Sequence, residues 1–333
     1  MENSEILKYS SSPHIKAPHD TGWIMINVCL ALLPACVMGV VFFGLRALLV
    51  LALSTVSAVL SEWIFLLIGG KKFDEIIREF DFTSCVTGLL VGMTIGTNYP
   101  LYAPVLGSAF AIIVVKMLFG GTGKNVVNPA IVGRIFIFIS FQSVVTEWLA
   151  PSIGSLGGSP VTSGATVLAG LLDAKSPALP SLSGWDLLLG TGLSGCIGET
   201  CKLALLIGAV YLAVRGIIKI QFPVICVAVS SLFTVALNGF DFAFFIPSAL
   251  SGGLILGAFF MATDYVTTPN TETGNYVYFV LLGLLIAGLR QATHMETVSF
   301  AILLMNLLVP LIDKFVVHRP FGYVRPAKKE GDK

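Results

Sequence analysis

Residues 23–44 read WIMINVCLALLPACVMGVVFFG and contain no charged side chain. A helix of about 20 apolar residues crosses the hydrocarbon core of a bilayer, so this stretch alone is long enough to span a membrane. The whole 333-residue chain has the same character, because 55% of it is hydrophobic and only 12% is charged. Soluble domains contain about a quarter charged residues. The sequence therefore predicts an all-α polytopic membrane protein.

Further apolar stretches follow along the chain, and we predict about ten transmembrane helices in two halves. The predicted spans are 23–44, 45–70, 84–97, 101–120 and 128–149 in the first half, and 199–214, 222–239, 243–262, 276–290 and 297–315 in the second. These spans divide the chain into an N-terminal segment 1–22, a first transmembrane half 23–149, a loop 150–198 that could include a re-entrant segment, a second half 199–315 and a basic tail 316–333.

Positive charge in the loops predicts the orientation of the spans, because cytoplasmic loops of membrane proteins carry an excess of Lys and Arg. Basic residues follow the second, fourth and sixth predicted spans, and they recur after the tenth. The stretch 151–184, in contrast, has a single basic residue, Lys175. We therefore expect both termini in the cytoplasm and the 150–198 loop on the outer face of the membrane.

Two short motifs suggest an internal repeat. TGLLVG at 87–92 is similar to SGGLILG at 251–257, and each continues into an apolar run and then a loop rich in Gly, Thr, Asn or Pro. Two five-helix halves would be inverted in the membrane, since five is odd, and inverted repeats with short or broken helices place a binding site near the midplane. The alternative is that small residues recur simply because they let helices pack closely.

The glycines of the third span and the asparagines near the loop after the fourth span each allow two interpretations, one structural and one as part of a binding site. Gly88, Gly92 and Gly96 lie on one face of the third span, where they allow close helix packing or leave room for a flat ring such as an isoalloxazine. Asn125 and Asn128 lie in or beside the glycine-rich loop after the fourth span. There they could bind a phosphate or a ribityl chain, or they could cap a tight loop.

Few charged residues lie in or near the apolar spans, and an unpaired charge in the hydrocarbon costs several kcal/mol. Glu62 and Lys116 lie deepest, and we expect them to form a structural ion pair or to line a cation path. Several others lie near predicted span ends, where snorkelling to the interface is the cheaper arrangement. The remaining charged residues are Arg134, Glu147, Glu199, Lys202, Asp264, Arg290, Glu296 and Asp313.

The six cysteines show no C-x2-C spacing, so we interpret them as structural thiols rather than as metal ligands. The sequence also lacks a cysteine framework for an iron–sulfur cluster and a dinucleotide-binding fingerprint.

The loop at 150–198 contains the tetrapeptide Ser163-Gly164-Ala165-Thr166. A threonine hydroxyl can form a phosphoester, which would tether a flavin mononucleotide permanently, and the small neighbours Gly164 and Ala165 leave that hydroxyl accessible. As a bare tetrapeptide the sequence is more typical of a turn, or of the cap of a short helix that starts at Val167. The position of the tetrapeptide in the whole chain is what makes the flavin interpretation specific.

Several motifs in a fixed order make the chain similar to a known family. They are Ser11-Ser12-Pro13-His14, FGGTGKN at 119–125 with Asn128-Pro129-Ala130, the Ser163-Gly164-Ala165-Thr166 loop, ATDYVTTP at 262–269 and Arg319-Pro320-Phe321-Gly322. In their order and spacing, the chain resembles the D subunit of the Rnf complex and the B subunit of the sodium-translocating NADH:quinone oxidoreductase. The short N-terminal segment and the total length fit the Rnf D subunit better.

The resemblance implies that Thr166 carries FMN through a phosphoester bond added by a flavin transferase, with Ser163, Gly164 and Ala165 completing the motif. It also implies a second, non-covalent riboflavin among the helices, to which the sequence assigns no ligands. In the family the transferase motif commonly has an Asp three residues before the serine, whereas this chain has Pro160.

The resemblance further implies a membrane subunit of an ion-translocating ferredoxin:NAD oxidoreductase, which relays electrons while Na+ or H+ crosses a prokaryotic inner membrane. Its implied partners are the other membrane and peripheral subunits, which would handle ferredoxin and NAD, together with the flavin transferase and membrane lipid, but no nucleic acid. The competing hypothesis is a secondary transporter or channel without a redox cofactor. A tightly bound flavin distinguishes the two, because a solute carrier does not need one.

Overall fold

The computed structural model describes residues 19–141, 167–171, 184–190 and 193–317. Every regular element within these ranges is helical, which confirms the predicted all-helical architecture for this part of the chain. The helices in chain order are α1 (Thr21–Phe43), α2 (Leu45–Ile68), α3 (Phe73–Arg78), α4 (Thr83–Met93), α5 (Tyr102–Met117), α6 (Pro129–Ser140), α7 (Val167–Leu171), α8 (Gly184–Leu189), α9 (Lys202–Val214), α10 (Gln221–Leu237), α11 (Phe242–Leu250), α12 (Leu254–Met261), α13 (Glu272–Thr293) and α14 (Val298–Phe315).

Length and apolarity identify which of these helices can cross a membrane. Within the described ranges, α1, α2, α13 and α14 are each long and apolar enough to do so. The predicted span at 243–262 is instead a pair of helices, α11 and α12, bent by 67°. The other apolar helices, α4, α5, α6, α9 and α10, are shorter. The architecture is therefore that of a polytopic membrane protein in which some spans are short or broken.

One backbone contact explains why two helices are shorter than the sequence predicts. The prediction extends the third span to residue 97 and starts the sixth at residue 199, but α4 ends at Met93 and α9 begins at Lys202. Residues 93–95 instead pair with residues 196–198: the Gly198 N–H donates to the Met93 carbonyl at 2.7 Å, and the Ile197 N–H donates to the Ile95 carbonyl at 3.3 Å. The Met93 carbonyl is therefore unavailable to accept from residue 97 and continue α4, and the pairing holds the chain before α9 outside that helix.

Side-chain caps fix where the principal helices begin. The Asp20 carboxylate accepts a hydrogen bond from the Trp23 N–H at 2.9 Å at the start of α1. The Asn128 side-chain oxygen accepts from the Ala130 N–H at 2.9 Å, and Pro129 occupies the first turn of α6, where its missing N–H costs nothing. The capping interpretation of Asn128 is thus confirmed.

Two helices end in π-helical segments. The segment at the end of α5 is Ala111–Met117, and the segment at the end of α12 is Gly257–Met261. π-Helical turns are rare in proteins and occur frequently at functional sites, because they redirect side chains that an α-helix would point elsewhere. Nothing in the sequence pattern predicts either segment.

Glycines on α4 allow it to contact α2 directly. A Cβ atom added at Gly88 would lie 2.6 Å from the Thr55 Cα, and one added at Gly92 would lie 3.3 Å from the Leu51 Cα. The first distance is too short for any side chain, so the two backbones meet there. The close-packing interpretation is therefore confirmed for Gly88 and Gly92, whereas Gly96 lies beyond the end of α4.

The same device recurs at two other helix contacts. A Cβ at Gly208 on α9 would lie 2.1 Å from the Ala31 carbonyl oxygen on α1. A Cβ at Gly283 on α13 would lie 2.7 Å from the Cys226 carbonyl oxygen on α10. The largest buried apolar cluster includes side chains from both halves of the chain, so these contacts belong to one continuous core.

We expect Gly88→Ala to destabilise the protein by about 1–3 kcal/mol, because its methyl group overpacks the contact between α4 and α2. The matched control is Gly288→Ala, since Gly288 is also helical but has open space where its Cβ would be. That control should be neutral or slightly stabilising, because alanine is the better helix former. Thermal unfolding of the detergent-solubilised protein measures both, and equal melting temperatures for the two variants would contradict the packing role of Gly88.

Candidate functional site

Ser163, Gly164, Ala165 and Thr166 lie outside the described residues. The described chain resumes at Val167, which begins α7 directly after Thr166. Leu171 at the end of α7 is buried in a small apolar cluster with Val235 of α10 and Phe244 of α11. The chain on the C-terminal side of the predicted attachment point is therefore anchored against the ends of two helices of the second half.

A cavity of about 260 Å³ lies between helices of the two halves. Both π segments contribute to its wall, with Lys116 from the first and Phe259 and Phe260 from the second. Its other walls are mostly aliphatic side chains of α1, α4 and the loop after α9, and its polar lining includes Asn125, Asn128 and Asp264. A mainly apolar cavity with a few convergent polar groups is the usual form of a small-molecule site.

Asn128 connects the two halves beside this cavity. Its side-chain nitrogen donates a hydrogen bond to the Met261 carbonyl, the last residue of α12, at 3.0 Å. Its oxygen caps α6 at the same time. Both polar atoms of the Asn128 side chain are thus occupied, whereas the amide nitrogen of Asn125 donates to the Val127 carbonyl at 3.1 Å and keeps its loop compact.

Glu62 and Lys116 form a buried ion pair, which confirms the structural-pair interpretation. The Lys116 ammonium donates to the Glu62 carboxylate at 2.6 Å, and Lys116 is only 3% exposed. The same ammonium donates to the Thr83 hydroxyl at the start of α4. The second carboxylate oxygen of Glu62 has no hydrogen-bond partner within the described ranges. Pairing makes burial of both charges tolerable, and three helices are tied together as a result.

A second cavity, of about 420 Å³, lies on the other side of this pair. It is lined by Glu62, Asp81 and Thr122, and also by Glu79 and Lys71, which form an exposed ion pair at 2.7 Å. The Lys116 ammonium thus lies at the boundary between the two cavities, because it lines the smaller one while its partner Glu62 lines the larger one.

Asp81 extends the polar network at this boundary. It accepts hydrogen bonds from the Thr83 hydroxyl and from the Thr122 hydroxyl, the latter at 2.6 Å. Burial alone would raise the pKa of the Asp81 carboxyl, but the nearby Lys116 charge and these hydrogen bonds outweigh it and lower the pKa below its usual value. Sequence analysis did not identify Asp81 or Thr122. The available signal was an aspartate two residues before a helix-starting threonine, a common capping pattern.

A second group of buried charges surrounds the break between α11 and α12. Arg290 lies 2.9 Å from Glu296, whose carboxylate also accepts a hydrogen bond from the Gly253 N–H at the break at 3.1 Å. Arg134 of α6 lies 3.6 Å from Glu199, just before α9, so this pair joins the two halves.

Four charged residues in or near the predicted spans are buried in the interior and do not snorkel to the membrane interface. Lys202 and Glu199 are buried, and the Lys202 ammonium donates to the Glu199 carbonyl. Arg290 is 2% exposed, and the Arg134 side chain is also largely buried. Position along the predicted spans does not reveal this burial, because the helices there are short and broken and the side chains turn into the interior. Ion pairs stabilise the charges of Arg134, Glu199 and Arg290, whereas the Lys202 ammonium has a backbone carbonyl as its partner.

Within the described ranges, no group of three or more His, Cys, Asp or Glu side chains could hold a metal ion. The six cysteines are free, and each is buried or half-buried.

Membrane-length helices, ion pairs buried among them and a cavity between two helical halves define a polytopic membrane protein with an internal polar site. The chain belongs to the NQR2, RnfD, RnfE family, which it matches over residues 8–322. The resemblance seen in the sequence motifs is therefore confirmed.

Individual relatives are similar along almost their whole length, and each is the D subunit of its complex. The D subunit of the Na(+)-translocating ferredoxin:NAD(+) oxidoreductase complex of Acetobacterium woodii is 40% identical to this chain, and the match covers 97% of this chain and 98% of that relative. The D subunit of the proton-translocating ferredoxin:NAD(+) oxidoreductase complex of Clostridium ljungdahlii is 35% identical, and the match covers 95% of this chain and 96% of that relative. The D subunit of the ion-translocating oxidoreductase complex of Alcanivorax borkumensis is 33% identical, and the match covers 94% of this chain and 96% of that relative.

We expect Glu296→Gln to destabilise the protein by about 3–5 kcal/mol, because it leaves the Arg290 charge buried without a compensating charge. Glu79→Gln is the matched control, since it removes the same charge from an exposed ion pair and should change stability little. Melting temperatures in detergent compare the two, and a Glu296→Gln protein as stable as the control would contradict a structural role for this pair.

Proposed function

We propose that this protein is the D-type membrane subunit of an Rnf-type, ion-translocating electron-transport complex. The observation that carries the proposal is the family match over residues 8–322, together with an intact Ser163-Gly164-Ala165-Thr166 motif. The protein relays electrons between carriers of a ferredoxin:NAD oxidoreductase, and this transfer is coupled to movement of Na+ or H+ across a prokaryotic inner membrane. Moving one charge against 100 mV costs roughly 2.3 kcal/mol, so the two processes must be coupled by a gated path.

Thr166 is the proposed attachment point of a covalent FMN, linked through a phosphoester. The support is the motif itself, in which Ser163, Gly164 and Ala165 surround the threonine with small side chains. The packing of α7 adds support, because a chain anchored at Leu171, five residues after the attachment point, restricts where a tethered flavin can reach. The flavin supplies the redox chemistry, and the protein supplies position and electrostatics.

The 260 Å³ cavity is the proposed site of a second, non-covalent flavin of the riboflavin type. Its lining fits such a molecule, because Phe259 and Phe260 offer apolar walls to a flat ring. The polar edge of that ring needs both donors and acceptors, which Lys116 and Asp264 provide. Asn125 adds a further polar side chain to the lining.

Two inverted repeats of five spans each are also part of the proposal, and the helix contacts support them. In the first half, α4 and α5 both pack on α2, and α5 also packs on α6. The second half has the corresponding contacts: α11 and α13 both pack on α10, and α13 also packs on α14. Helices at equivalent positions, α1 with α9 and α6 with α14, contact each other across the halves, as expected around a two-fold axis. This arrangement accounts for ten spans even though several helices are short.

The proposed orientation places both termini in the cytoplasm and the Thr166 loop on the outer face. Its support is that basic residues of separate loops collect at one end of the helices. The Arg215 guanidinium lies over the rings of Trp23 and Tyr211, 5.9 and 5.5 Å from their centroids, so the end of α9 and the start of α1 are on the same side. Lys219 pairs with Glu272 at the start of α13 on that side.

The proposed partners are the other membrane and peripheral subunits of the complex, membrane lipid, and a flavin transferase during maturation. No nucleic acid is involved. The competing function, a secondary transporter or channel without a redox cofactor, explains the buried charges but gives no reason for the intact tetrapeptide.

Thr166→Val should abolish the flavin fluorescence of the denatured protein band when the chain is co-expressed with a flavin transferase, because valine has no hydroxyl to esterify. Thr162→Val is the matched control and should keep the band, since it removes a nearby hydroxyl outside the Ser163-Gly164-Ala165-Thr166 tetrapeptide. Pro160→Asp should increase labelling if Pro160 limits recognition by the transferase. A dark wild-type band, with the transferase active on another substrate, would favour the transporter alternative.

Labelling of introduced cysteines tests the orientation. A membrane-impermeant maleimide added to intact cells should label Lys175→Cys, which lies in the loop with Thr166, but not Lys124→Cys, which lies in the glycine-rich loop after α5. The unmodified chain is the background control, because each of its own cysteines is at least half-buried. The reverse labelling pattern would contradict the orientation and place Thr166 in the cytoplasm.

A further inference from the structure

We propose that Lys116 sets the reduction potential of the flavin in the 260 Å³ cavity and transmits the charge of that flavin to Glu62. This inference rests on the proposed function, since it requires a non-covalent flavin in that cavity. In this scheme Lys116 acts on the flavin through its charge and exchanges no atom with it.

The first support is the place of Lys116 between two cavities. Its ammonium lines the 260 Å³ cavity, and so does Thr83, to which it donates a hydrogen bond. Its carboxylate partner Glu62 lines the neighbouring 420 Å³ cavity instead. The π-helical end of α5 is what directs Lys116 to this boundary.

The second support is the charge of the cavity lining. Among the described residues that line the 260 Å³ cavity, Lys116 is the only Lys or Arg, and Asp264 is the only Asp or Glu. An electron delivered by the redox partners of the complex adds one negative charge to the flavin. A buried ammonium beside that charge stabilises it strongly, because little water is present to screen the interaction. Lys116 therefore favours reduction.

The third support is that Glu62 and the flavin share one ammonium. Lysine carries three donors on a flexible stem, so its position responds to the charges on either side. In the structure one donor is used by Glu62 and one by Thr83. Negative charge added in the flavin cavity draws the ammonium away from Glu62. The Glu62 carboxylate, 7% exposed and with one oxygen already unpartnered among the described residues, is then less well compensated.

The experiment is a redox titration of the non-covalent flavin in the full-length chain, followed by absorbance, in a Thr166→Val background that lacks the covalent flavin. Lys116→Met should shift the midpoint potential to more negative values, because the stabilising cation is lost. Lys116→Arg should keep the potential close to that of the parent. Lys71→Met is the control, since it removes a lysine that lines only the larger cavity and should shift nothing.

Glu62→Gln should shift the potential to more positive values, because the ammonium is no longer shared with a carboxylate. The Asp81 carboxylate remains close to that ammonium. In the Lys116→Met background, Glu62→Gln should have no further effect, because no ammonium remains for Glu62 to share with the flavin. This non-additivity distinguishes a shared ammonium from a merely structural ion pair.

An unchanged potential in Lys116→Met, with the flavin still bound, would overturn the inference. So would a Glu62→Gln shift of equal size with and without Lys116. If Lys116→Met does not retain flavin, Glu62→Gln decides alone: a positive shift supports the inference and no shift overturns it. If the parent binds no non-covalent flavin, the second flavin site and this inference both fail. The result for covalent FMN at Thr166 is independent of that outcome.

Discussion

Each charge buried among these helices has to be balanced where it lies, because lipid offers it no compensation and water is too far away. Three of the ion pairs among the described residues meet this requirement in the interior: Glu62 with Lys116, Arg134 with Glu199, and Arg290 with Glu296. The first ties α2 to α5, the second joins the two halves, and the third closes the break beside α12. Moving any of these elements would separate charges that cannot be left alone, so the pairs restrict how the halves fit together.

Close helix packing and the 260 Å³ cavity occupy different parts of the interior. Glycines bring α4 onto α2 and α9 onto α1 until backbones touch, which leaves no space for a ligand at those contacts. Space remains where the π segments interrupt regular packing, and the 260 Å³ cavity forms there. Some of its polar lining residues also stabilise the fold, as Asn128 does by capping α6. The cavity is therefore a consequence of how the two halves meet.

The sequence predicts the membrane class and the longest spans well, because an apolar run without charges has few other stable arrangements. The predicted spans 23–44 and 45–70 correspond to α1 and α2 within two residues at either end. It predicts the third and sixth spans less well, since their ends are set by pairing of residues 93–95 with 196–198, a contact between distant parts of the chain. Apolarity alone carries no information about such a contact.

The candidate functional site is likewise only partly predictable from the sequence. The sequence identifies Glu62 and Lys116 as the deepest charges, but only the fold shows that they are paired and lie between two cavities. The pairing of Arg134 with Glu199 is not visible in the sequence, because their burial depends on helices that are shorter than their apolar sequence. Ser163 to Thr166 can be recognised from the motif alone, since a modifying enzyme reads the local chain rather than the tertiary structure.

The π-helical end of α5 has a consequence for how this protein tolerates change in length. Such a segment accommodates one more residue than an α-helix would over the same stretch. In a regular α-helix, deleting one residue rotates every following side chain by about 100° relative to the start of the helix. Deleting one residue within Ala111–Met117 instead converts the π turn to an α turn, so the chain after Met117 keeps its orientation and the change is confined to the segment that presents Lys116.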